Sequence, residues 1–171
     1  MAHCAVRPSL KRISVWNRSP DRAQRLVDTS TVQGVTLSVA DDLESVARSA
    51  ELISCATMAT APLIKGEWLQ PGTHLDLVGS FRPNMRECDE AAIRRASVFV
   101  DSRWSAVEDC GEIIDALASG ALTDKDILAD NFDLARGQHP GRASDNEITL
   151  YKNGGGGHLD LMVAQYLCGM A

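Results

Sequence analysis

Short β-branched and aliphatic runs alternate with segments of helical spacing through the first hundred residues, and few folds accept that order. RISVWN (Arg12–Asn17) alternates polar and apolar residues and leads into SPDRAQRLV, where Ser19 stands at a helix-cap position and Pro20 suits a first turn. GVTLSV (Gly34–Val39) predicts a second strand, followed by a helix in DDLESVARSA with Asp41 or Asp42 near its N-terminus. ELISCA (Glu51–Ala56), THLDLVGS (Thr73–Ser80) and SVFVD (Ser97–Asp101) predict further strands, and NMRECDEAAIRRA (Asn84–Ala96) predicts a helix capped by Asn84. Parallel neighbours need a crossover and helices fill it, so the expected class is α/β: a mostly parallel, doubly wound sheet.

Beyond Trp104 the pattern loosens. GEIIDALASG and TDKDILADNF predict short helical pieces, and GQHPGRASDNE predicts a loop. EITLYK (Glu147–Lys152) predicts one more strand, which delivers the chain into NGGGGHLDL. HLDLMVAQYLCGM then sets Leu159, Met162, Val163, Tyr166 and Leu167 at helical spacing. The expected organisation is one unit over residues 1–135 and a C-terminal loop, strand and helix over 136–171.

Composition narrows the partners. With 44% hydrophobic side chains the chain can bury one ordinary core, and a net charge of −6 gives no general attraction to nucleic acid or anionic lipid. No apolar run approaches the ~20 residues of a membrane span, and the N-terminus lacks the regions of a signal peptide, so a cytoplasmic location without a membrane partner is expected. The five cysteines are widely spread, without C-x-x-C or metal-finger spacing. They read as reduced thiols, and no metal is expected.

Doubly wound sheets that bind dinucleotides carry a first strand and a G-x-G-x-x-G turn at a helix N-terminus. Neither is found in this sequence, because MAHCAVRPSLKR (Met1–Arg12) reads as the tail of a helix and its exit. The sheet is therefore expected to be incomplete, beginning inside its first βα unit and lacking the N–H groups that cradle a pyrophosphate.

Four stretches, VWNRSPDRAQRL, ATMATAPLIKGEWLQPGTHLDLVGS, RPNMRECDEAAIRRASVFVDS and PGRASDNEITLYKN, resemble in order and spacing the ornithine cyclodeaminase and mu-crystallin family. LVGSFRPNMRE is similar to the pyrroline-2-carboxylate reductase-like members. The resemblance implies that residues 1–135 are part of a Rossmann-type NAD(P)-binding domain. It also implies that 136–171 return toward an upstream substrate domain through which the parent protein forms a homodimer.

Candidate site residues follow. Asn17, Arg18 and Ser19 end the first predicted strand where an acidic residue would favour NAD(H); a basic and neutral set favours the 2′-phosphate of NADP(H), with NAD(H) the alternative. Thr57 and Met58, and Val78, Gly79 and Ser80, follow two later strands at the sheet edge where such folds place their ligands. Lys152 and Asn153 match a family strand end beside the nicotinamide, although Lys152 reads equally as a surface lysine. Asp109 matches a family acidic position on the substrate side, although with Glu108 and Glu112 nearby it reads equally as part of a solvated acidic helix end. His158, after the glycines, has the pKa range of a neutral-pH proton donor, against a structural role at a helix start.

Cyclodeaminase members resemble one another in an acidic residue where this chain has Phe81, and a phenyl ring cannot transfer a proton. The expected function is NADP(H)-dependent reduction of a small cyclic imino acid by the parent protein, of which this chain is a fragment inactive alone. The alternatives are NAD-dependent ornithine cyclodeamination and a non-catalytic cofactor-binding remnant. On this reading NGGGGHLDL is the substrate-side wall of the site.

Overall fold

The computed structural model describes Cys4 and residues 7–169, apart from the side chains at 158, 159, 162 and 166. The helix tail expected over Met1–Arg12 lies partly outside the described residues. Two compact units follow one another along the chain, Met1–Ser49 and Ala50–Ala171.

In the first unit, β1 (Arg12–Val15) and β2 (Thr36–Val39) pair in parallel, with Arg12 opposite Thr36 and Val15 opposite Val39. Helix α1 (Pro20–Thr29) makes the crossover with Ser19 as N-cap, and α2 (Leu43–Ser49) follows β2. Each helix buries an alanine, Ala23 and Ala47, as expected for close packing of a helix face.

The second unit is built on a five-stranded parallel sheet of order β3-β4-β7-β5-β6, comprising β3 (Leu52–Cys55), β4 (His74–Leu77), β5 (Ser97–Val100), β6 (Ile127–Ala129) and β7 (Thr149–Lys152). The class is the expected α/β with a parallel sheet. The segment 136–171, read from sequence as a separate C-terminal piece, supplies the central strand. In β7 Lys152 lies opposite both Leu77 of β4 and Val100 of β5. Leu75, Leu77, Val98, Val100 and Leu150 are all buried around this strand. No strand among the described residues hydrogen-bonds to both ladders, the part that the first strand plays in a complete doubly wound sheet.

Two local expectations are corrected. The helix expected from Asn84 begins only at Glu90, as α3 (Glu90–Arg95), and its cap is Asp89, whose carboxylate accepts the Ala92 N–H at 2.9 Å. The preceding turn is held by other bonds: the Glu87 carbonyl accepts both Leu63 N and Ile64 N, and Cys88 bridges to Ile64. In TDKDILADNF a single 3-10 turn (Asp124–Asp126) gives way to β6 and then to α6 (Asn131–Ala135). Asp126 closes that turn by accepting from the N–H and hydroxyl of Thr123 at 2.8 and 2.7 Å, and the chain leaves as an alternating strand with Ile127 and Ala129 buried. Helices α4 (Arg103–Asp109) and α5 (Gly111–Ser119) cover the region between, and α7 (Gly157–Leu167) follows the glycines.

Because Leu150 is fully buried in the central strand, Leu150→Ala is expected to cost about 2–5 kcal/mol in urea unfolding. Leu128→Ala, at a partly exposed edge-strand position, is expected to cost well under half of that.

Candidate functional site

The C-terminal edge of the second unit's sheet is organised by a carboxylate that the sequence reading overlooked. Glu87 is fully buried. Its Oε1 accepts the Thr57 N–H at 2.6 Å and the Thr57 hydroxyl at 2.9 Å, and its Oε2 accepts the Gly79 N–H at 2.7 Å. Backbone just past β3 and just past β4 is thus pinned to one side chain. The approach leaves no room for a Cβ at Gly79, which would lie 2.0 Å from the Thr57 carbonyl oxygen. Arg86 holds the same loop from outside, its Nε donating to Asp115 of α5 at 2.7 Å.

The other half of the edge follows β7. Asn153 N donates to the Leu77 carbonyl at 2.9 Å, placing Asn153 beside Val78. Gly155, at φ +76°, turns its N–H toward Asn153 Oδ1 at 2.8 Å and the buried Asp101 Oδ2 at 3.2 Å. Gly154 packs so closely that a Cβ would meet Ser105 Oγ at 2.8 Å. The first two glycines of the run therefore answer to backbone conformation and close packing.

Between these halves opens a cleft of about 480 Å³, lined by Val78, Phe81, Asp109, Asn153, Gly154, Gly155, Gly156 and Asp160. Asp109 ends α4, and Asp160 lies in the first turn of α7. Among the described residues the lining carries two carboxylates and an amide but no basic side chain; the Arg82 guanidinium lies over the ring of the lining residue Phe81 at 5.5 Å. Such a wall favours a cationic over an anionic group.

The candidates from sequence divide accordingly. Val78, Asp109 and Asn153 come together in the cleft, with Phe81 and the glycines. Gly79 and Ser80 are outside the lining, both buried, with the Ser80 hydroxyl donating to the Met85 carbonyl at 3.2 Å. Thr57 is engaged by Glu87, whereas Met58 is 75% exposed and outside the cleft lining. Lys152 is neither a surface residue nor in the lining. It is fully buried, its ammonium donating to the Leu77 carbonyl at 3.3 Å and lying 3.9 Å from Glu112 Oε1. The inward face of the strand pleat carries it there. Asn17, Arg18 and Ser19 are exposed in the first unit, where Asn17 Oδ1 accepts the Ser19 N–H at 2.9 Å and Ser19 makes no side-chain cap bond. The side chain of His158 lies outside the described residues; its backbone is in the first turn of α7.

Burial pushes the Glu112 carboxyl up to about 7, with the Lys152 ammonium opposing that rise. Burial likewise raises the Cys55 and Cys110 thiols to about 12 and holds Cys88 well above the ordinary thiol range. These three sulfurs are core side chains, poor in thiolate and so poor in nucleophilicity.

The sequence profile of the ornithine cyclodeaminase/mu-crystallin family matches residues 1–169. The chain belongs to this family. It is 45% identical over 166 residues to a delta(1)-pyrroline-2-carboxylate reductase of Paracoccus denitrificans, covering 97% of this chain and 52% of that protein. Against the ketimine reductase mu-crystallin of Mus musculus the identity is 36% over 157 residues, covering 92% and 46%. The structure of Thermococcus litoralis delta(1)-pyrroline-2-carboxylate reductase in complex with NADH and L-proline superposes with a TM-score of 0.86 at 28% identity, over 90% of this chain and 48% of that one. The chain spans about half the length of the relatives it matches.

Two outcomes test this geometry. Glu87→Ala strands the N–H groups of Thr57 and Gly79, and more than about 3 kcal/mol is expected to be lost in denaturant unfolding. For Glu112 the folded carboxyl is raised from 4.5 to about 7, so between those values the unfolded chain releases its proton first. Wild type is therefore expected to lose Tm relative to Glu112→Gln as pH rises through that window, and to lose no more above it.

Proposed function

We propose that this chain contributes the nicotinamide-binding half of a reductase that converts small cyclic imino acids, of the pyrroline- or piperideine-2-carboxylate type, to the saturated amino acids, with NADP(H) preferred. The cleft carries the reading: Val78, Phe81, Asp109 and Asn153 converge at the C-terminal edge of a parallel sheet, where such folds bind nucleotides. Its residues fit a nicotinamide. With Oδ1 taken by Gly155, Asn153 keeps its NH2 as a donor for a carboxamide oxygen, and Val78 offers an apolar face. The buried Gly79 lets backbone come close beneath. When bound, the reduced cofactor supplies a hydride.

The chain's own residues select the acceptor. Asp109 and Asp160 favour a protonated, cationic ring nitrogen, and an iminium accepts hydride at carbon more readily than a neutral imine. Asp109 orients that N–H, so the nitrogen keeps its proton while the carbon gains a C–H bond. Phe81 provides bulk and no proton, which favours reduction over a deamination that needs an acid/base at that place. Arg18, with Asn17 and Ser19 beside it, has the charge to bind a 2′-phosphate. The relatives named as pyrroline-2-carboxylate and ketimine reductases support the substrate class, and the NADH in the Thermococcus complex supports a nicotinamide cofactor while leaving NAD(H) as the rival form.

The test is loss of NADPH or NADH absorbance on adding 1-pyrroline- or 1-piperideine-2-carboxylate to the protein. Asp109→Asn is expected to lower kcat/KM about 100-fold. Arg18→Ala is expected to raise KM for NADPH about tenfold while leaving NADH unchanged. No imine-dependent oxidation with either cofactor would sink the reading, and ammonia released from ornithine with catalytic NAD would replace it with cyclodeamination.

A further inference from the structure

Lys152 is the last residue of β7 and has no exposed surface, yet its immediate neighbour Asn153 lines the cleft. Two consecutive residues therefore act on one acceptor. The Leu77 carbonyl receives the Asn153 N–H at 2.9 Å and the Lys152 ammonium at 3.3 Å, and Val78, which follows Leu77, lines the same cleft beside Asn153. Glu112, in the first turn of α5, lies 3.9 Å from the ammonium as its ion-pair partner, and neither of its carboxylate oxygens makes a hydrogen bond of normal geometry.

As a means of stability this is a poor arrangement. A buried ion pair recovers its desolvation cost only when its remaining hydrogen bonds are satisfied, and apolar packing of similar volume commonly does as well or better. Its geometry is instead suited to holding two strand ends in register where backbone pairing stops. Beyond Lys152 the chain leaves the ladder through Gly154 and Gly155, residues without side chains to pack. The Leu77 carbonyl is thus the acceptor that ties the end of β7 to the end of β4 next to the wall.

We propose that Lys152 and Glu112 are a buried positioning pair, which sets the separation of Val78 from the Asn153–Gly155 wall and thereby the fit of whatever ring the cleft holds. Lys152 touches no ligand; it acts through Leu77 and Asn153. Only the choice of ligand probe rests on the nicotinamide reading above.

The test is the double variant Lys152→Met/Glu112→Leu in the full chain, which removes both charges at nearly constant volume and is expected to stay folded with its urea midpoint close to that of wild type. Amide exchange at Asn153 and Gly155 is expected to speed at least about tenfold, with amides of Leu75 and Val98 unchanged. The Kd for NADH, read by fluorescence titration, is expected to rise about tenfold, the effect of roughly 1.4 kcal/mol. A merely structural pair would leave both readouts at wild-type values in the folded double variant, and that result overturns the proposal. If the double variant does not fold, Glu112→Gln, which keeps Lys152 and the shape of its partner, is expected to show the same shifts at smaller size, and their absence there also overturns it. Should wild type fail to bind NADH, the nicotinamide reading falls, while the exchange rates at Asn153 and Gly155 still decide this one.

Discussion

A carboxylate without solvent contact, Glu87, is the constraint on which the edge of the second unit depends. Backbone that runs past the end of a strand loses its ladder partners, and its N–H groups must find acceptors or face water. Here Thr57 and Gly79 meet that need on one side chain, so the exits of β3 and β4 are fixed relative to each other although no strand pairing reaches them. Gly79 has to be glycine for this contact, and Glu87 has to arrive from a loop free of helical geometry. The late start of α3 is the structural counterpart of that requirement.

Opposite charge secures the other exit. Lys152 draws on the Leu77 carbonyl as Glu87 draws on N–H groups, so the backbone on either side of Val78 is held, at Gly79 by a buried carboxylate and at Leu77 by a buried ammonium. Neither charge reaches the lining, and the groups presented to a ligand remain an amide, two exposed carboxylates and apolar surface. The groups lining the cleft are thus held by an interior that is itself electrostatically framed.

Much of this was legible in the sequence, and the failures have identifiable causes. The runs RISV, TLSV, LISC, HLDL and SVFV all formed strands, most of them carrying β-branched residues and HLDL by polar–apolar alternation alone. Val78 was found as a candidate from its place at a strand end and Asp109 and Asn153 through resemblance, and the structure gathers them in one cleft. Strand order was not legible: nothing in EITLYK states that it lies between β4 and β5, since that depends on partners more than 45 residues away in the sequence. The interior position of Lys152 follows from which pleat face it occupies, a parity fixed only once the register with Leu77 is known. Glu87 gave no local signal, because an acid between Arg86 and Cys88 reads as surface until two strand ends converge on it.

The place of β7 also bears on the order in which the molecule can assemble. Strands β4 and β5 emerge from synthesis with about 20 residues between them, yet they never pair with each other; both wait for a segment that follows β5 by about 50 more. Until Thr149–Lys152 arrives, Leu75, Leu77, Val98 and Val100 lack the neighbour that covers them, and two strand edges stand open to wrong partners. The centre of the sheet is thus its last part to be made, and a nascent chain carries an unfilled slot for as long as translation takes to reach it.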